Sequence, residues 1–93
     1  MILEFKNIAT KRVYEQHFVK SIPNDVARIA LRKLIMIDNA NCINDLRVPP
    51  GNRLEKLLGD REGQYSIRIN DQYRICFKEQ DGDFYDVEIT DYH

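Results

Sequence analysis

The chain closes on Asp91-Tyr92-His93, and these three side chains are the place to look for chemistry. A carboxylate, a phenol and an imidazole this close together can accept, donate and relay protons, and the imidazole titrates near neutrality. A second set of candidates is basic. Arg53, Lys56, Arg61, Arg68 and Arg74 fall between residues 47 and 78, where seven Lys/Arg face four Asp/Glu. Residues 79–93 hold six Asp/Glu and no Lys or Arg. A basic middle next to an acidic end gives a net charge of −1, so no global field draws the protein to nucleic acid. A local cationic patch can still bind phosphate, and the planar fork of arginine suits that task.

The positions of these groups depend on the elements that carry them. Residues 2–6 read as a short first strand. Residues 8–19 read as a helix with Ala9, Val13, Tyr14, His17 and Phe18 stacked along one face. Ser21-Ile22-Pro23 breaks it and opens a second helix that runs to about Asn39. Val26, Ala27, Ala30, Leu31, Leu34 and Ile37 give that helix a broad apolar face, while Arg28, Arg32 and Lys33 stay in water. The short break predicts an antiparallel helical hairpin. Residues 40–53 are a connection marked by Pro49-Pro50-Gly51. A short strand at 53–57 leads to a polar turn, Gly59-Asp60-Arg61-Glu62-Gly63. Strands at 64–69, 73–79 and 84–91 alternate apolar and polar residues.

Parity fixes which side chains share a face. Tyr65, Ile67 and Ile69 point one way, and Ser66, Arg68 and Asn70 the other. For Tyr73, Ile75 and Phe77 to join the first set, the loop between these strands must hold an odd number of residues. Asn70-Asp71-Gln72 meets that need and sets Arg68 directly opposite Arg74. The same rule predicts Asp81-Gly82-Asp83 or Gln80-Asp81-Gly82 as the next loop, with Tyr85, Val87 and Ile89 on the core face. Asp86, Glu88, Thr90 and Tyr92 then share the arginine face. Two arginines opposed across a ladder repel, so an anion is expected between them: Glu88 from within, or a phosphate from outside. Arg61 can equally serve its own turn through Asp60 or Glu62, and His17 reads as a core or interface histidine.

The 93 residues suit one domain, spanning 1–93, with a single modest core. No apolar run nears the about 18 residues of a membrane span, and the N-terminus is too soon charged for a signal peptide. A cytoplasmic protein is expected. The two cysteines, Cys42 and Cys76, fit neither a metal motif nor a redox pair, so free thiols are expected.

The run Gly59-Asp60-Arg61-Glu62-Gly63, then SIRINDQYRICF at 66–77, then DVEITDYH at 86–93, resembles the HigB toxins of the RelE/ParE superfamily. That resemblance implies an α+β fold, with an N-terminal strand and helical hairpin packed on a small, mostly antiparallel twisted sheet. It implies a type II toxin that cleaves mRNA in the ribosomal A site without a metal or organic cofactor. Its partners would be a helix-turn-helix antitoxin of the HigA type, the ribosome and mRNA, with no membrane and with operator DNA reached only through the antitoxin. Arg74, Asp91, Tyr92 and His93 match the family's catalytic cluster; Arg53, Lys56, Arg61 and Arg68 are the candidate RNA-binding residues. Where the family has a histidine ahead of the turn this chain has Glu55, a candidate base in its place. A family arginine before the hairpin turn aligns with Asn70, and Arg68 can substitute for it. Two other functions stay open at this level: a non-enzymatic gyrase poison of the ParE type, and a degenerate toxin that only binds an antitoxin.

Overall fold

The computed structural model describes residues 1–91, so Tyr92 and His93 lie outside the described residues. Helices α1 (Ile8–Tyr14) and α2 (Asn24–Asn39) precede a four-stranded antiparallel sheet. Its strands are β1 (Glu55–Lys56), β2 (Tyr65–Arg68), β3 (Tyr73–Gln80) and β4 (Asp83–Asp91), side by side in chain order. Helical apolar spacing on α2 buries Val26, Ala30, Leu34 and Ile37 against Ile67, Ile75, Phe77, Phe84 and Val87 of the sheet.

The first helix is shorter than its apolar pattern suggests. Asn7 caps it by accepting the Thr10 N–H at 2.9 Å. At its other end Gln16 turns left-handed at φ 65°. The Gln16 and His17 N–H groups close on the Val13 and Arg12 carbonyls at 3.0 and 2.9 Å. This is a Schellman ending with glutamine where glycine is usual, so no glycine marked it. Phe18, expected on the packed face, is instead 73% exposed. Lys33 also departs from expectation. It is half-buried, with its ammonium hydrogen-bonded to Asn52 Oδ1.

The expected first strand forms only isolated parallel bridges to β4, Ile2 with Phe84 and Phe5 with Val87. Backbone hydrogen bonds such as Leu3 N–H to Phe84 O at 2.9 Å still cover that edge. Farther along, the Thr10 hydroxyl takes over by accepting the Ile89 N–H at 2.9 Å. Asp38 ties the segment to both helices, accepting from Ile2 N–H at 2.8 Å and from the Tyr14 hydroxyl at 2.9 Å.

The β2–β3 hairpin follows the parity argument: Ile67 faces Ile75 and Arg68 faces Arg74. The Asn70 side chain closes its three-residue loop, accepting the Gln72 and Tyr73 N–H groups at 2.8 and 2.7 Å. The β3–β4 hairpin does not follow it. Gln80 pairs with Asp83, leaving a two-residue loop of Asp81 and Gly82 at φ 54° and 85°. Two consecutive left-handed residues form the turn whose twist suits a tight hairpin. A side chain at Gly82 would also put a Cβ 2.8 Å from the Asn41 carbonyl oxygen. The even loop places Phe84, not Tyr85, in the core, and Tyr85 pairs with Lys78. A bulge at Asp86, φ 50°, then restores the expected phase. Val87 is buried beyond it, and Glu88 and Thr90 return to the arginine face opposite Cys76 and Arg74.

Candidate active site

Arg53, Glu55, Arg68, Asn70, Asp71 and Arg74 line one hollow of about 240 Å³. Each comes from a different local device. Arg68 and Arg74 are neighbours because the Asn70–Gln72 turn has odd length. Arg53 projects from a left-handed residue, φ 45° and ψ 56°, that ends the 3₁₀ turn Pro50–Asn52. Glu55 sits on the edge strand β1, opposite Ser66.

Arg74 is buried, with 9% of its surface exposed, and it does not pair with Glu88. Its Nε donates to Ser66 Oγ at 2.8 Å. Its Nη2 donates to the Arg53 carbonyl at 2.7 Å and to the Ser66 carbonyl at 3.4 Å. The Glu55 carboxylate is 4.0 Å from Nη2 and more than half exposed. One edge of the guanidinium is thus held by neutral oxygens, and no bond to Nη1 is seen among the described residues. A buried cation offset by dipoles and one exposed carboxylate retains most of its positive field, which suits an incoming anion. Arg68 pairs with Asp71, which is almost fully exposed, so a ligand can displace that contact at little cost.

The remaining candidates lie around this hollow. Arg61 Nη1 donates to Glu88 Oε1 at 2.8 Å and to Gln64 Oε1 at 3.2 Å. The anion expected to separate Arg68 from Arg74 is therefore engaged by Arg61 instead. Lys56 is exposed on β1, opposite Tyr65. Asp91 is exposed, pairs across the ladder with Tyr73 and accepts from Gln72 Nε2 at 3.2 Å. The pairing of Arg74 with Thr90 and of Tyr73 with Asp91 brings the end of β4 to the Asn70–Gln72 turn. The arginine hollow and Asp91 therefore share one end of the sheet, and Tyr92 and His93 follow beyond the described residues.

Two titration shifts mark the surroundings. Burial, then the nearby charges of Arg32 and Arg68, lowers the Lys33 ammonium below its ordinary value. Burial raises the Cys76 thiol, leaving it a protonated core residue, and both cysteines are free. A larger hollow of about 560 Å³ lies beside α1, lined by Ile8, Lys11, Arg12, Glu15, His17 and Phe18. Chemistry rather than size selects the smaller one, because there the three arginines Arg53, Arg68 and Arg74 converge beside Glu55 and Asp71. Sequence reading missed Ser66 and the Arg53 carbonyl as partners of Arg74. Ser66 could have been found, since it shares strand parity with Arg68.

The helical pair on a four-stranded antiparallel sheet is a RelE-like α+β fold, with a cationic hollow at one end. The fold is similar to a chain of the YoeB–YefM complex from Staphylococcus aureus, with a TM-score of 0.64 at 22% identity, covering 100% of this chain and 95% of that one. The chain belongs to the HigB-like toxins: the family model described as the RelE-like toxin of the type II toxin–antitoxin system HigB matches residues 3–93. Toxin HigB-1 of Vibrio cholerae serotype O1 is 44% identical over 85 residues, 88% of this chain and 87% of its own. Endoribonuclease HigB of Proteus vulgaris is 38% identical over 94 residues, covering 100% of both chains. The resemblance read from residues 59–93 is thereby confirmed. No helix among the described residues is long and apolar enough to cross a membrane.

Proposed function

We propose that this toxin is a metal-independent endoribonuclease that cuts mRNA on the ribosome. The observation that carries the reading is the arginine hollow, with Arg74 held along one edge at the sheet end where β4 delivers Asp91. The full-length likeness to the Proteus vulgaris endoribonuclease supports it.

In this reading the ribose 2′-oxygen attacks the adjacent phosphorus. The 2′-O–P bond forms, the P–O5′ bond breaks, and a 2′,3′-cyclic phosphate and a free 5′-hydroxyl result. Asp91 or His93 takes the 2′-hydroxyl proton, and the other orients it or protonates the leaving 5′-oxygen. Glu55 lines the hollow and is the third candidate base. Arg74 and Arg68 hold the scissile phosphate and offset the charge of the phosphorane. Tyr92 stacks on a neighbouring base. Arg53, Lys56 and Arg61 contact flanking phosphates, which gives position rather than sequence preference. A site that grips phosphates and reads few base edges needs its substrate presented in a fixed path, which the ribosome supplies. The partner is a HigA-type helix-turn-helix antitoxin, through which operator DNA is reached, and the complex works in the cytoplasm.

Induced expression of wild type and of a Tyr92-His93 deletion, each followed by mapping of mRNA 5′ ends, tests this. In-frame cuts from the wild type alone are expected. Growth arrest without cuts, equal in both, would sink the nuclease reading and make gyrase the next target.

A further inference from the structure

Arg74 is held by a residue twenty-one positions away, and the way that residue is itself held deepens the reading of Arg74 as a phosphate ligand, on which this inference rests. The Arg53 carbonyl reaches Arg74 Nη2 only because Arg53 adopts the left-handed conformation, which a non-glycine residue resists. Something must impose that conformation. The residue before it, Asn52, is fully buried, although asparagine is usually exposed.

Every polar atom of the Asn52 side chain is engaged. Its Nδ2 donates to the Leu46 carbonyl at 3.1 Å and to the Val48 carbonyl at 3.5 Å, and lies 3.1 Å from Met36 Sδ. Its Oδ1 accepts from the Lys33 ammonium of α2. Its own N–H closes on the Pro49 carbonyl at 3.0 Å, and the Arg53 N–H on that of Pro50 at 3.1 Å. Asn52 thus joins α2 and the 43–48 segment to the one turn that supplies the Arg53 carbonyl. A satisfied buried polar network of this kind rigidifies what it touches.

We infer that Asn52 is a positioning residue for Arg74: it locks the left-handed turn at Arg53, whose carbonyl clamps one edge of the guanidinium and leaves the other edge for the phosphate. Arg53 consequently has two separable roles. Its side chain offers a charge to RNA, and its backbone orients a second arginine.

Two pairs of variants of the full-length chain test this. Arg53→Gly and Arg53→Val both remove the guanidinium, but glycine accepts the left-handed conformation and valine opposes it. Asn52→Ala removes the lock and Asn52→Asp removes its Nδ2 donors. One readout is the NMR signature of hindered rotation about the Arg74 Nε–Cζ bond, assigned with Arg74→Lys. The other is cleavage by saturating toxin on programmed ribosomes. Hindered rotation is expected in wild type and Arg53→Gly, and free rotation in Arg53→Val and both Asn52 variants. Cleavage by Arg53→Val should fall about tenfold below Arg53→Gly, in the maximal rate rather than in KM. Should the Asn52 variants fail to fold, the exposed Arg53 pair decides. Equal rotation and equal cleavage in Arg53→Gly and Arg53→Val would overturn the inference, as would hindered rotation in folded Asn52→Ala. Wild-type cleavage by Arg74→Ala would instead defeat the phosphate reading of Arg74, and the NMR readout would still decide what Asn52 holds.

Discussion

The two hairpins of the sheet solve one problem in different ways. Both must keep alternate residues of adjacent strands on the core face. The β2–β3 hairpin does so with a three-residue loop closed by the Asn70 side chain. The β3–β4 hairpin uses a two-residue turn that breaks the phase and a bulge at Asp86 that restores it. The error and its repair are confined to the far end of the ladder. From Cys76 to Arg74 and from Glu88 to Thr90 the phase is regular, so the arginine face receives Glu88 and Thr90 in register. A functional sheet face can therefore tolerate an irregular hairpin, provided that the correction comes before the site.

Inserting one alanine after Asp86 should break the comparison most severely. With the extra residue, the phase set by Phe84 and the bulge would turn Glu88 inward and Val87 outward. An uncompensated buried carboxylate costs about 3–5 kcal/mol, enough to unfold a small domain. Circular dichroism and denaturant titration would show it, and a native-like melt would mean that the bulge takes up the added residue.

Arg74→Ala should leave the fold standing but lower RNA cleavage by about 10²–10³-fold, the usual effect of removing one preorganised charge-stabilising donor. The measurement is mRNA 5′-end mapping alongside a thermal melt. Gly82→Ala attacks the tight hairpin, where both the left-handed backbone and the Asn41 carbonyl oppose a side chain. A loss of about 1–3 kcal/mol is expected by chemical denaturation, with cleavage per folded molecule unchanged. Asn70→Ala attacks the other hairpin by removing the acceptor of two backbone N–H groups. A loss of about 1–2 kcal/mol is expected. Here cleavage should fall too, because Asn70 sets the Arg68–Arg74 register and lines the hollow.

The smallest effect should come from Glu4, beside the bulge. A hydrogen bond to Asp86, then the like charge of Asp86, raises the Glu4 carboxyl above its ordinary value. The same bond, first among its causes, lowers Asp86. For Glu4 the favourable contact is present while the carboxyl is protonated and is lost as pH rises through its raised value. Glu4→Gln keeps a donor toward Asp86 at every pH. It should therefore be slightly more stable than wild type at pH 7, and the advantage should vanish at pH 3. An equal difference at both pH values would show that Glu4 does not titrate against Asp86.

Much of this was legible in sequence, and the exceptions have physical causes. The α2 face, the odd β2–β3 loop and the Arg68–Arg74 opposition followed from local periodicity. The β3–β4 phase did not, because Phe84 and Tyr85 are adjacent aromatics that fit either parity, and a bulge leaves no distinct residue pattern. The early end of α1 was hidden by Gln16 in a position where glycine would have announced it. At the site, the basic residues were identifiable by type, but their partners were not. Arg61 meets Glu88 across 27 positions, and Arg74 meets the carbonyl of Arg53 across 21.

The sequence by itself determined the family, the helix-then-sheet order, the strand faces and the set of charged groups, because side-chain alternation and motif order are properties of neighbouring residues. Tertiary structure alone decided which acid neutralises which arginine. It also decided that Arg74 is clamped by neutral oxygens rather than by Glu88. Those choices depend on how the 43–53 segment folds back over the sheet, where a buried asparagine and a left-handed backbone direct one carbonyl onto one guanidinium.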